Sequence, residues 1–205
     1  MSTVPKPLLT EQQYLAIERA AELKSEFFRG EMFAMAGASR EHNLIAGNCF
    51  GLLWQSLSKA GCEVYQSDMK VRVGNTGLYA YPDVVVACGQ KQFADEDADV
   101  LLNPTVLIEV TSPSTANYVR GFKSKSYRAL PSLQEYLVIE QDQPLVEHYV
   151  RQVSNAWLVT EITGLDATVQ LKSNELTLPL ALIYAQVVFP TKPRLAIHRR
   201  DDFPG

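Results

Sequence analysis

Cysteine is scarce in this chain: there are three in 205 residues, Cys49, Cys62 and Cys88. With no Cys-x-x-Cys pair and no histidine at zinc-ligand spacing, they predict reduced, mostly buried thiols rather than a metal knuckle or a disulfide scaffold. Long apolar runs are missing as well; none approaches the roughly 20 residues that span a bilayer. The amino terminus has neither the basic start nor the apolar stretch of a secretory signal, so a cytoplasmic protein with no membrane partner is expected. Positive charge is not in excess. The formal net charge is -4, so a nucleic-acid contact would have to come from a local basic patch. The phosphate loop Gly-x-x-x-x-Gly-Lys-Ser/Thr, the Gly-x-Ser-x-Gly elbow and His-Glu-x-x-His are all absent, which leaves nucleotide, acyl-transfer and zinc-peptidase chemistry without support.

What is present is enough apolar material, 46% of the chain, for one full core. The expected organisation is a single domain over residues 1–190 and a polar C-terminal tail over 191–205. After a loose lead-in, Thr10 and Gln13 form a capping box with Leu9 as its hydrophobic staple, starting a helix to about Leu23 that buries Tyr14, Ile17 and Ala21. Residues 26–35 alternate around Arg29-Gly30 and predict a hairpin. Ser39 caps a second helix carrying Ile45, Cys49, Leu52, Leu53 and Leu57, ended by Gly61. Strands are predicted at 63–66, 69–73, 83–88 and 105–111, with the acidic run 95–99 as a loop. A third helix is predicted over 117–129, burying Val119, Phe122, Ser126 and Ala129. Successive antiparallel strands follow at 135–140, 146–150, 157–162 and 168–171. Trp54 and Trp157 are expected in the core or an interface.

Two acids stand out against this background. Asp83, in Tyr-Pro-Asp-Val-Val-Val, opens one apolar strand, and Glu109, in Val-Leu-Ile-Glu-Val-Thr, lies near the end of the next. A carboxylate on an apolar strand is costly unless it is paired, hydrogen-bonded or holding a cation. Two on neighbouring strands suggest a divalent-metal site, because hard cations such as Mg²⁺ prefer carboxylate oxygens and keep waters for a substrate. A turn entering a strand would also account for Asp83, and a solvated strand end for Glu109. Lys123 comes next, on the helix after the Glu109 strand, where an ammonium could orient water and stabilise charge on a phosphate oxygen; most helical lysines simply face solvent. Arg40, Lys70, Arg72, Arg120 and Lys125 are candidate phosphate contacts, although scattered basic residues commonly serve solubility.

Taken together, Tyr81-Pro82-Asp83, Ile108-Glu109-Val110, Ser112-Pro113-Ser114-Thr115, Lys123, Tyr127 and Glu135-Tyr136-Leu137 resemble the Uma-type restriction endonuclease family, within the PD-(D/E)XK nuclease superfamily. Glu26, Gly30-Glu31, Met35-Ala36-Gly37 and His42-Asn43 extend the likeness over most of residues 10–190. The resemblance implies an α/β (α+β-like) fold, a restriction-endonuclease-like mixed β-sheet flanked by helices. Asp83 and Glu109, with the backbone carbonyl of Val110, would bind Mg²⁺, with Mn²⁺ as the alternative, and Lys123 would assist the attacking water. Glu26, His42 and Tyr127 would be accessory. The superfamily's lysine normally stands two residues after the second acid, where this chain has Thr111; the family's pattern moves it to the following helix. The acid often found four residues before that lysine is Val119 here.

The expectation is therefore a Mg²⁺-dependent endodeoxyribonuclease hydrolysing DNA phosphodiester bonds, a homodimer by superfamily analogy. The alternative is a catalytically inactive nuclease-fold module that binds a partner. A structure-selective RNase would share the metal site and differ in substrate.

Overall fold

The computed structural model describes residues 8–190; the expected polar tail 191–205 lies outside the described residues. Helix α1 (Glu11–Ala20) starts at the anticipated capping box. The Thr10 hydroxyl accepts from the Gln13 N–H at 3.2 Å, and the Gln13 side chain accepts from the Thr10 N–H at 2.8 Å. Leu9 packs in the same small cluster as Tyr14, as a staple should. The helix stops three residues short of Leu23, and its buried side is Tyr14, Leu15 and Glu18, with Ile17 and Ala21 exposed. Polar Glu18 is drawn inside by three donors: the Ser25 N–H, the Ser25 hydroxyl and the Tyr81 hydroxyl.

Strands β1 (Ser25–Phe28) and β2 (Glu31–Ala34) form the predicted hairpin. Its turn places Arg29 at φ 47° and Gly30 at φ 92°; a Cβ on Gly30 would stand 2.7 Å from Leu8, so glycine is required there. Helix α2 (Arg40–Leu57) is capped by the Ser39 hydroxyl, buries Ile45, Cys49, Leu53 and Leu57, and gives way through a 3₁₀ turn to Gly61 at φ 76°.

The strands divide into two main sheets. One has the order β2, β1, β5 (Leu78–Ala80), β4 (Lys70–Val73), β7 (Val100–Leu101). The other runs β11 (Trp157–Thr163), β10 (Leu145–Arg151), β9 (Glu135–Glu140), β8 (Val106–Thr111), β6 (Val84–Cys88), β3 (Cys62–Gln66). Strands β5 and β7, with three and two residues, carry too little alternation to be predicted. β8 and β9 are parallel, whereas β9, β10 and β11 are antiparallel. Strand β12 (Thr168–Leu171) leaves that series and pairs only with β13 (Leu176–Pro179), which leads into the short α5 (Leu180–Ile183).

One core lies between the six-stranded sheet and α2, joined by β12, β13 and α5; the other fills the opposite face and reaches the five-stranded sheet. The third helix is irregular. α3 (Ala116–Tyr118) passes through a π turn (Val119–Lys123) into α4 (Ser124–Tyr127). The wider turn shifts the helical phase beyond it, so Lys123, Ser124, Ser126 and Tyr127 face inward and Ala129, expected in the core, faces out.

Two further expectations are corrected. Cys62 and Cys88 are not free thiols: the β3–β6 register sets them opposite each other, and they form a disulfide. Cys49 is the free, buried cysteine. Of the two tryptophans expected in the core or an interface, Trp54 is 56% exposed on α2, which excludes the core for it, while Trp157 is half-buried under the Arg151 guanidinium.

Candidate functional site

Asp83 stands where the chain leaves β5 and enters β6, one step before the first residue of that strand. The β6–β8 register pairs Val84 with Ile108 and Val85 with Leu107; continued by one step it sets Asp83 across from Glu109 on the same face. The contacts agree with that placement. Asp83 Oδ2 accepts the Val110 N–H at 2.7 Å, and Asp83 Oδ1 bonds His42 Nε2 at 2.8 Å from the first turn of α2. On β8, Val106, Ile108 and Val110 enter the α2 core while Leu107 enters the other, so alternation turns Glu109 toward the helical segment 116–127.

There Lys123 meets it. Its Nζ lies 2.8 Å from Glu109 Oε1 and 2.7 Å from Glu26 Oε1 on β1, and all three residues are buried, at 5%, 4% and 5% exposure. Tyr127, one helical turn on, donates to Glu109 Oε1 at 2.8 Å. Tyr118 donates to Glu26 Oε2 at 2.7 Å. Asp83, Glu109, Lys123, Glu26 and His42 thus converge on one open cleft of about 1300 Å³. Tyr127 acts from behind, fully buried.

The electrostatics follow from burial. Desolvation pushes the Glu109 carboxyl up to about 7; the Lys123 ammonium pulls it down, and the Asp83 and Glu26 charges add to the rise. Desolvation opposes charge on Lys123, but Glu109 and Glu26 outweigh it and hold the amine above the ordinary lysine range. Lys123 is therefore an ammonium at neutral pH: it can donate, orient and stabilise negative charge, but it cannot accept a proton. Burial also opposes charge on the His42 ring, yet its bond to Asp83 and the Asp83 and Glu109 charges raise it above the usual histidine value. His42, expected as an accessory residue, is bonded to Asp83 and helps orient that carboxylate.

The side-chain oxygens that could hold a divalent cation are those of Asp83 and Glu109, with the backbone carbonyl of Val110, next to Glu109 on β8, as the third expected donor. Lys123 and Tyr127 both take Glu109 Oε1, and among the described residues no donor bonds Oε2, while each Asp83 oxygen accepts one bond and keeps lone-pair capacity. Among the described residues no three His, Cys, Asp or Glu side chains already form a metal cage. Such a sparse donor set suits Mg²⁺, which uses one or two carboxylates and retains water, better than zinc.

Three of the basic residues expected at phosphates are spent elsewhere. Lys70 pairs with Asp99 at 2.7 Å, Arg72 with Glu11 at 2.8 Å, and Arg120 with Glu140 and Glu147. Arg40 lies 3.2 Å from its neighbour Glu41, and Lys125 is exposed. Val119 is buried as an apolar side chain, and Glu26, from a different strand, supplies the second carboxylate on the lysine. Sequence reasoning missed Tyr118. Five residues before Lys123 it shares no face with it in a regular helix, but the i→i+5 winding of the π turn brings the two together, with Lys123 Nζ 5.7 Å from the Tyr118 ring centre.

Comparison with known proteins agrees with this architecture. A crystal structure of a putative nuclease belonging to DUF820 from Anabaena variabilis superposes with a TM-score of 0.70 at 18% identity, covering 88% of this chain and 99% of that one. Two uncharacterized Synechocystis proteins align closely. One, sll1609, is 37% identical over 163 residues, 80% of this chain and 92% of its own length. The other, slr1290, is 32% identical over 187 residues, 91% of this chain and 97% of its own. Residues 11–182 match the family described as Uma2, putative restriction endonuclease, and the chain belongs to that family.

Proposed function

We propose that this protein is a Mg²⁺-dependent endonuclease that hydrolyses DNA phosphodiester bonds, with Mn²⁺ as an alternative ion. The observation that carries the reading is the convergence of Asp83, Glu109 and Lys123 on one cleft, with Lys123 2.8 Å from Glu109. Asp83, Glu109 and the Val110 carbonyl would hold the ion, which would supply a Lewis acid for the phosphate and its departing oxygen. The chain's own residues do the rest. His42 and the Val110 N–H fix the Asp83 carboxylate, and Tyr127 and Lys123 fix that of Glu109. Lys123 offers a permanent positive charge to orient an attacking water and to offset charge building on the phosphate. Glu26, anchored by Tyr118, keeps that ammonium at the site. As a test, supercoiled plasmid is incubated with Mg²⁺ or Mn²⁺. The parent chain should nick it and Asp83→Ala should not; equal cleavage by both would refute the mechanism.

One observation favours a second reading, an inactive binding module: Glu109 and Glu26 both have a protein partner in the Lys123 ammonium, at 2.8 and 2.7 Å, so the lysine has a structural role whether or not a cation binds. Titration calorimetry separates the two. A Mg²⁺ heat that vanishes in Glu109→Gln supports the enzyme, and DNA binding indifferent to metal supports the module. Homodimerisation, which would give a duplex cutter two sites, is part of the enzyme reading and is checked by sedimentation.

A further inference from the structure

The wall beside the site is aromatic, and it begins at the site itself. Phe33 on β2 is the cross-strand partner of Glu26 on β1, so its ring shares the face of that acid, and it is 48% exposed. Phe28, two residues along from Glu26, is on the same face and packs edge-on against Phe122, with ring centres 4.5 Å apart. Phe122 in turn stacks on Tyr118 at 5.7 Å and 16°. Tyr118 is 40% exposed, and its hydroxyl returns to Glu26. All four rings line the cleft of Asp83 and Glu109.

The same cleft is poor in free cations. Its lining acids are Glu22, Glu26, Asp83 and Glu109, and its lining lysines are Lys24 and Lys123. Lys24 pairs with Asp68 at 2.8 Å and Lys123 with two carboxylates. Duplex binding draws its affinity from several lysines and arginines on phosphates; among the described residues both lysines that line the cleft are already paired, and the one exposed cation on the ring wall, Arg29, lies over the Phe28 ring at 5.0 Å. Aromatic faces bind bases only where these are unpaired, since in a duplex the π faces are hidden in the stack.

From this pairing of two exposed rings, Phe33 and Tyr118, the latter backed by Phe122 and Phe28, with paired lysines we infer that the cleft takes an unpaired stretch of DNA, its bases stacked on Phe33 and Tyr118. Its backbone passes Asp83 and Glu109, a placement that rests on the nuclease reading. Phe33 sets the substrate class without taking part in the chemistry.

The test uses the full chain and a short fluorescein-labelled oligonucleotide in Ca²⁺, read by anisotropy, as single-stranded DNA, as its duplex and as single-stranded RNA of the same sequence. The single DNA strand should bind about tenfold tighter than the duplex. Phe33→Ala should weaken that binding about tenfold, the loss of one stacked base, and leave duplex affinity unchanged. Phe33→Trp should keep it, with an indole emission quenched on binding. Because Phe33 is half exposed, an unchanged melting temperature in both variants is expected and shows that they fold. Duplex binding as tight as that of the single strand, tighter binding of RNA, no binding, or indifference to Phe33→Ala would each overturn the inference. A chain that binds strands through Phe33 but cleaves nothing in Mg²⁺ or Mn²⁺ overturns the nuclease reading alone, and one that nicks plasmid but ignores Phe33→Ala overturns the stacking alone.

Discussion

Removing the Lys123 ammonium should destabilise the fold more than any surface substitution. Its Nζ lies 2.7 Å from Glu26 and 2.8 Å from Glu109, with all three side chains at or below 7% exposure. Lys123→Met keeps the aliphatic stem and leaves two buried carboxylates without a countercharge, an uncompensated burial that costs about 3–5 kcal/mol. At roughly 2–4 °C per kcal/mol for a chain of this size, the melting temperature should fall by about 6–20 °C. The loss should depend on pH in a definite direction. Burial already raises Glu109 to about 7 against the pull of Lys123, so without the lysine that carboxyl rises further and is protonated in mildly acidic buffer. The deficit should therefore shrink from pH 8 to pH 5. Glu109→Gln removes one of the stranded charges and should restore part of the loss when combined with Lys123→Met. Calorimetric melts in EDTA on the four chains supply the cycle. A Lys123→Met chain that melts within about 2 °C of the parent, or additive single and double variants, would show that Lys123 does not neutralise these carboxylates.

Two other outcomes come from contacts away from the site. Cys62 and Cys88 are bonded and Cys49 is free, so the denatured chain should titrate one thiol without reductant and three with it; Cys88→Ser should cost about 3 kcal/mol through the released loop. Titration of three thiols in unreduced protein would refute the pairing. Arg19, in the last turn of α1, grips Asp95, Asp97 and Asp99 at 2.7–2.8 Å. With Lys70 assisting, it holds the Asp99 carboxyl down from 3.8 to about 2. A depressed carboxyl stabilises the fold above its unfolded value and stops doing so as pH falls through the folded one. The gap in melting temperature between the parent and Arg19→Ala should thus be full above pH 4 and close toward pH 2; a gap independent of pH would refute the clamp.

Local grammar wrote much of the fold plainly. Thr10 and Gln13, Arg29-Gly30, Ser39 and Gly61 are signals whose cause lies within a few residues, and each does what its chemistry dictates. Features set by distant pairing were illegible. Strand β7 exists because β4 offers it a parallel edge. The disulfide exists because β3 and β6 happen to register Cys62 on Cys88 across 26 residues. The candidate site divides in the same way. Asp83 and Glu109 could be found because an acid among valines must have a partner, and Lys123 because its helix follows the Glu109 strand; Tyr127 came through family resemblance. Glu26 was visible only through family resemblance, since nothing between residues 26 and 109 says that two sheets will bring them to one lysine. Tyr118 was hidden by a winding that the sequence does not announce.

That junction also bears on why the charges are there. Glu26 comes from the five-stranded sheet, Glu109 from the six-stranded one, and Lys123 from the crossover between β8 and β9, so one ammonium ties three elements together. As a fastening it is a poor choice. Taking three charges out of water costs several kcal/mol each, and apolar side chains of equal volume join buried elements as well or better. A fold needing only stability would be served by leucine and methionine at these positions. The surrounding donors, Tyr127 on Glu109, Tyr118 on Glu26, and His42 with the Val110 N–H on Asp83, fix carboxylate orientation, a property irrelevant to packing and decisive for holding a cation beside a phosphate. The cost of burying these groups is therefore what the proposed chemistry at the cleft would account for, and packing alone would not.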